Sequence, residues 1–278
     1  MKNKLGMNLL LWGTEMADDE MFPVLEMIRE TGFDTVEIPI MNLDHKKWER
    51  WRKKLDELQL SCVAETINGP DHNAIHPEES KRKHALDFNK QVLDCANILG
   101  ADLLIGPIHS ALGVFTGQPA TLEEKKWGAE VLYDLAEYAQ SLKITLGLEY
   151  LNRFESYLVS CTDELIDLAE SVNHPSCKLM FDTFHANIEE KRLPAAIKKM
   201  GDRLVHVQLS ENDRGTLGQG HVNFEEVIES LKRINYQGVI SVEAFSQKLT
   251  AANIWRKMFE NETQLTKDSY QYLKILTR

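Results

Sequence analysis

Ile144-Thr145-Leu146-Gly147-Leu148-Glu149 is a short apolar run that closes on a carboxylate. Its ending, Leu148-Glu149-Tyr150, has three counterparts downstream: Met180-Phe181-Asp182, Val207-Gln208-Leu209 and Val242-Glu243-Ala244. A polar group at the end of a mostly apolar strand is costly to bury unless it is paired, hydrogen-bonded or bound to a cation. A single one reads equally well as a helix N-cap or a satisfied structural carboxylate. Four in consecutive units point instead to strand ends that deliver polar side chains to one place, as happens at the mouth of a β/α barrel.

Outward from that run, short strand-like stretches alternate with segments of helical period. The eight strand candidates are Gly6 to Leu11, Thr35 to Pro39, Ser61 to Thr66, Asp102 to Gly106, Ile144 to Glu149, Lys178 to Asp182, Leu204 to Leu209 and Val239 to Glu243. Between them, Glu79 to Leu99 shows the helix logic. Ala85, Phe88, Val92, Cys95 or Ala96, and Leu99 share one face, charged residues take the other, and Gly100 follows as a cap. The first helix ends likewise at Gly32. The prolines are dispersed and no Gly/Ser-rich linker divides the chain. Its 278 residues match the about 250 that one such barrel needs. The expected fold is a single (β/α)8 TIM barrel spanning residues 1–278.

Composition narrows the function. Hydrophobic residues make up 43% and charged residues 27%, a balance able to bury a core. The net charge of −11 repels nucleic-acid phosphates and anionic membranes, and Lys81-Arg82-Lys83 reads as a solvated helix face. No apolar run approaches the ~20 residues of a spanning helix. Lys2, Lys4 and the apolar stretch Leu5 to Trp12 imitate a signal peptide. Asn8 interrupts that stretch, however, and Asp18-Asp19-Glu20 follows, so a first strand is expected. Cys62, Cys95, Cys161 and Cys177 form no C-x-x-C pair, which suits reduced thiols and a cytoplasmic location. His45, His84 and His174 are expected to be exposed, His72, His109 and His221 to lie in βα loops. Trp255, Met258 and Phe259 are assigned to a helix that covers the barrel or meets another subunit.

Three carboxylates crowded at one mouth repel each other, and a divalent cation holds them ionised together. Oxygen donors favour Mg²⁺ or Mn²⁺, with Co²⁺ as a further candidate. Three stretches carry a resemblance: Leu148 to Glu155 (LEYLNRFE), Phe181 to Glu190 (FDTFHANIEE) and Ser210 to Gly215 (SENDRG). They resemble the xylose-isomerase-like sugar isomerases and epimerases, and within these the ketose 3-epimerases of the tagatose and psicose type. The resemblance implies that Glu149, Asp182 and Glu243 are metal ligands and that Glu155, His185 and Arg214 contact substrate; His109 is the loop histidine placed beside them. At Gln208 those epimerases usually carry a ligating His. His206-Val207-Gln208 is closer to the hydroxypyruvate isomerase branch, where Gln supplies the fourth ligand. His206, one layer deeper, is expected to be a hydrogen-bonded interior side chain.

The chemistry such a site supports is proton removal next to a carbonyl, through a metal-stabilised enediolate. Glu149 and Glu243 form the acid/base pair on opposite sides of the substrate. Arg214 suits an oxyanion, its alternative being a salt bridge to Glu211 or Asp213. Glu155 binds a terminal hydroxyl or holds a neighbouring side chain. The substrate expected is a keto sugar, with an oxo acid such as hydroxypyruvate, or a cyclic keto polyol undergoing dehydration, as the alternative. A metal-dependent phosphodiesterase would need more His ligands and a basic surface, and a non-catalytic sugar-binding module would not need two bases. Gly215 to Gly220 lacks the Gly-Lys-Ser/Thr ending of a phosphate loop. Similar enzymes are often dimers or tetramers, so the resemblance implies a homodimer or homotetramer.

Overall fold

Successive side chains on a strand point to opposite faces, and in this chain the two faces meet different surroundings. The computed structural model describes residues 2–14 and 17–278. The strands are β1 (Leu5–Asn8), β2 (Thr35–Pro39), β3 (Ser61–Glu65), β4 (Leu103–Gly106), β5 (Thr145–Leu148), β6 (Cys177–Asp182), β7 (Leu204–Leu209) and β8 (Val239–Val242). They pair in parallel and in sequence order, and β8 closes on β1, giving a barrel. Around it lie α1 (Asp18–Thr31), α2 (His45–Leu58), α3 (Glu79–Leu99), α4 (Leu122–Ser141), α5 (Thr162–Val172), α6 (Thr183–Glu189), α7 (Leu193–Met200), α8 (Phe224–Arg233) and α9 (Glu262–Leu276).

The outward face of the strands, including Leu146, Leu148, Phe181, Val207, Leu209, Ile240 and Val242, joins the inner stripes of the helices in one large core. Burying each such side chain stabilises by about 1.5–3 kcal/mol. Inside the barrel, Val63, Leu103, Ile105 and Met180 form a separate small cluster, with Val205 and Val239 against it. This apolar floor underlies the polar mouth. The expected stops hold at α1 and α3: Gly32 (φ 116°) and Gly100 (φ 84°) both take the left-handed conformation that a Cβ disfavours, and their N–H groups bond back into the last turn.

One irregularity positions the site. Between β6 and β7, Leu179 faces Leu204 but Met180 faces His206, so Val205 is an extra residue without a partner. Such a bulge re-aims the side chains that follow it. Val205 packs against the floor, while His206 and Gln208 reach across the lumen to Glu37 of β2.

Three expectations change. β1 stops at Asn8 rather than Leu11, because the Asn8 side chain accepts from Leu10 N (2.8 Å) and caps a 3₁₀ turn over Leu9–Trp12. Trp255, Met258 and Phe259 are not helical. They lie between a short turn, Thr250–Ala252, ended by left-handed Asn253 (φ 54°), and α9, which starts only after its cap Asn261. Trp255 is 81% exposed there. His174 is buried, its Nε2 2.8 Å from Glu137 Oε1 and its Nδ1 accepting from Ser176 N. This pairing satisfies an imidazole that periodicity alone assigned to the surface. No helix among the described residues is long and apolar enough to cross a membrane.

Candidate functional site

Strand pairing continues one residue past β5 and β8, and this sets the two glutamates. Glu149 N donates to Gly106 O (3.2 Å) and Glu243 N to Leu209 O (2.9 Å), so each carboxylate leaves a hydrogen-bonded backbone. Asp182 ends β6 and caps α6, accepting from Phe184 N (2.8 Å). Gln208 is its register partner on β7. All four side chains are sequestered: exposure is 5% at Glu149, 2% at Asp182, 0% at Gln208 and 3% at Glu243. Asp182 and Glu243 share Arg214, and Glu149 and Asp182 share His185.

Arg214 lies among them. The turn Glu211 to Arg214 (Arg214 N to Glu211 O, 3.0 Å) leaves Arg214 left-handed, at φ 61°, a conformation a long side chain adopts only when its surroundings hold it there. Its Nη1 donates to Asp182 Oδ2 (2.8 Å), to Ser210 Oγ (2.9 Å) and to Glu243 Oε2. The guanidinium carbon lies over the rings of Phe184 (3.8 Å from the centroid) and Phe245 (4.5 Å). The alternative pairing with Glu211 does not form. Glu211 instead accepts from Gly218 N and Val222 N, and so holds the glycine-rich loop in place.

His185, on α6, is fixed through a chain of hydrogen bonds. Asn152 Oδ1 accepts from Phe154 N (3.0 Å) and its Nδ2 donates to Glu155 Oε1 (2.8 Å), which sets the direction of the amide. Asn152 N (3.0 Å) and Nδ2 (2.9 Å) then both face His185 Nδ1. Burial holds the His185 pKa down to about 4, so the ring is neutral and the remaining proton sits on Nε2. Nε2 is 3.4 Å from Asp182 Oδ2 and 3.5 Å from Glu149 Oε1. Glu149, Asp182 and His185 lie close enough to surround an ion, but a protonated Nε2 donates and does not ligate. Its 3.2 Å approach to Arg214 Nη2 is likewise a contact between two donors. Glu155 thus acts on Asn152 in this structure, and His109 faces inward to the protein. His109 Nε2 is 2.9 Å from Glu149 O and its Nδ1 2.8 Å from Ser110 Oγ, and burial lowers its pKa to about 4.

Beside these groups are buried polar residues that the reading of strands five to eight overlooked. Asn8 Nδ2 donates to both Glu65 Oε2 (3.0 Å) and Glu243 Oε1 (3.2 Å). Glu37, fully buried, accepts from Gln208 Nε2 (2.8 Å) and bonds His206 Nε2, which confirms His206 as an interior hydrogen-bonded side chain. The same signal, an acid within or ending an apolar strand, was present in Thr35-Val36-Glu37-Ile38-Pro39 and Ser61 to Glu65.

These surroundings push carboxylate pKa values up. Burial, and then Asp182 and Glu65, raise Glu149. Burial raises Glu243, with Arg214 opposing and Asp182 adding to the rise. Burial and the neighbouring Glu37 bring Glu65 to about 8. Meanwhile Gln208 Oε1 is buried with no hydrogen-bond partner, a loss worth about 1–3 kcal/mol. A set of carboxylates deficient in positive charge, plus an orphaned amide oxygen, is the donor set a hard divalent cation takes.

A family model for the xylose isomerase-like TIM barrel matches residues 25–276. The chain is 32% identical over 275 residues to an L-ribulose 3-epimerase from Methylomonas sp. (strain DH-1), covering 97% of this chain and 96% of the relative. It is 29% identical over 268 residues to a D-psicose 3-epimerase from Enterocloster bolteae, covering 92% and 88%. Among solved structures, a D-allulose 3-epimerase from Methylomonas sp. in complex with D-allulose superimposes with a TM-score of 0.92 at 26% identity, covering 98% of this chain and 96% of the other.

Proposed function

The chain belongs to the xylose isomerase-like TIM barrel family and is a sugar epimerase within it, and from that premise we propose that it is a divalent-metal-dependent ketose 3-epimerase. The observation that carries the metal dependence is the partnerless, buried Gln208 Oε1 on the residue that pairs in register with Asp182. Glu149, Asp182, Gln208 and Glu243 would hold Mn²⁺, Mg²⁺ or Co²⁺. When bound, such a cation acts as a Lewis acid toward the carbonyl and neighbouring hydroxyl of a keto sugar.

Glu149 shares His185 with Asp182, and Glu243 shares Arg214 with it. One carboxylate takes the proton from the carbon next to the carbonyl, and the other returns a proton to the opposite face, inverting that carbon. In the metal-free protein burial raises both carboxyl groups, and a bound cation would oppose that rise and keep them ionised. His185 Nε2–H is a neutral donor for a substrate oxygen, kept in that tautomer by Asn152 and, behind it, Glu155. Arg214 supplies permanent positive charge where oxyanion character develops. His109 supports the Glu149 backbone. The same reading places the enzyme in the cytoplasm as a homodimer or homotetramer.

The names of the relatives, L-ribulose and D-psicose 3-epimerases, favour a keto sugar over hydroxypyruvate or a cyclic keto polyol as substrate. The test is carbon-bound hydrogen exchange in D₂O, followed by NMR, for metal-loaded enzyme with ketopentoses, ketohexoses and hydroxypyruvate. We expect deuterium at carbon 3 of a ketose, abolished by chelation and restored by Mn²⁺. Exchange confined to hydroxypyruvate, or undiminished exchange after metal removal is verified, would sink the proposal.

A further inference from the structure

Gln208 presents an amide where its two ends are nearly equal in shape, so something must decide which end is left free. Glu37 binds the other end. It stands on β2, across the lumen from β7, and is fully buried. One of its oxygens receives Gln208 Nε2 at 2.8 Å and the other is bonded to His206 Nε2. Turning the amide over would set Gln208 Oε1 against a carboxylate oxygen, acceptor against acceptor. His206, itself brought inward by the bulge at Val205, keeps the carboxylate from rotating away. The result is that Gln208 Oε1 is the end left without a partner.

We propose that Glu37 is a positioning residue that acts through Gln208, locking the amide so that oxygen, and never the NH₂ group, is offered to the cation. This rests on the metal-dependent reading of the site. It assigns a task to a strand that bears none of the expected ligands, and it explains why an amide serves here: Glu37 makes a two-ended side chain behave as a dedicated oxygen donor. Outer partners of this kind typically set metal affinity by about 10–100-fold.

The test is a double-mutant cycle on the metal-free full-length protein, with Mn²⁺ alone as probe, read by titration calorimetry and by the Mn²⁺ EPR signal. Glu37→Gln should weaken Mn²⁺ binding by about 10–100-fold in the wild-type background and cause little further change in a Gln208→Ala background, where there is no amide to orient. Glu37→Asp, which keeps both acceptor oxygens, should bind Mn²⁺ more tightly than Glu37→Gln, and it carries the same cycle if Glu37→Gln does not fold. Equal weakening in both backgrounds, or none in either, overturns the inference while leaving the metal site intact. Failure of the wild-type protein to bind Mn²⁺ overturns both.

Discussion

Glu37 and Glu65, from β2 and β3, and Glu149 and Glu243, from the ends of β5 and β8, are all buried to a similar degree, yet their company differs. The first pair is bonded to Gln208, His206 and Asn8, of which Asn8 also donates to Glu243. The second pair gathers around Asp182 with Arg214 as the cation between Asp182 and Glu243. On the proposed reading, the first pair braces the site and the second, beside Asp182 and Arg214, carries the chemistry.

The largest effect expected from breaking that division is at Glu149. Glu149→Gln keeps the shape of the side chain but removes the base, and kcat should fall by about 10²–10⁴-fold while circular dichroism and melting stay near wild type. An isosteric change at Glu65 should cost far less activity, and equal losses at the two sites would erase the contrast.

A smaller effect is expected from Arg214→Lys. The charge is retained, but the planar fork that reaches Asp182, Ser210 and Glu243 and lies over the rings of Phe184 and Phe245 is lost. We expect kcat/KM to fall about 10–100-fold, corresponding to about 1.4–2.8 kcal/mol, with most of the loss in kcat if the contact tightens in the transition state. A change confined to KM would move Arg214 from the chemistry to simple substrate binding.

The smallest effect concerns stability alone. The Glu65 pKa is raised in the folded protein to about 8, so protonated Glu65 stabilises the fold below the ordinary carboxylate range, and that stabilisation is lost as pH rises through about 8. Metal-free wild type should therefore melt at progressively lower temperature between about pH 5 and 9, whereas Glu65→Gln should decline less and melt higher at pH 9. For a chain this size each kcal/mol corresponds to roughly 2–4 °C. Parallel melting curves for the two proteins across that range would show that Glu65 is not held protonated.

Much of the architecture is legible in the sequence alone. The eight strand stretches appear within one to three residues of their expected bounds, and α3 starts and stops at Glu79 and Leu99, because apolar periodicity and left-handed glycines act locally. The strand-end residues Glu149, Asp182, Gln208 and Glu243 were visible for the same reason: each breaks an apolar pattern at the place where a strand must end. Glu37 and Glu65 break it as clearly, but nothing in a one-dimensional pattern says that β2 faces β7 across the lumen. His174 hid its burial because its partner, Glu137, lies on α4, far from it in the chain. The stretch around Trp255 kept helical composition without the cap that starts a helix, which comes later, at Asn261.

By itself, then, the amino-acid order determined the alternation of strand and helix, the closure into one barrel and the residue types gathered at its mouth, since these follow from period, caps and the cost of burying polar groups. Only the tertiary structure decided which end of Gln208 is bonded to Glu37, which nitrogen of His185 bears the proton, and that Arg214 pairs with Asp182 and Glu243 and not with its acidic neighbours in the chain. Each of those outcomes depends on hydrogen-bond partners brought together by the barrel from distant strands, and donor–acceptor direction is a property of that meeting rather than of either residue alone.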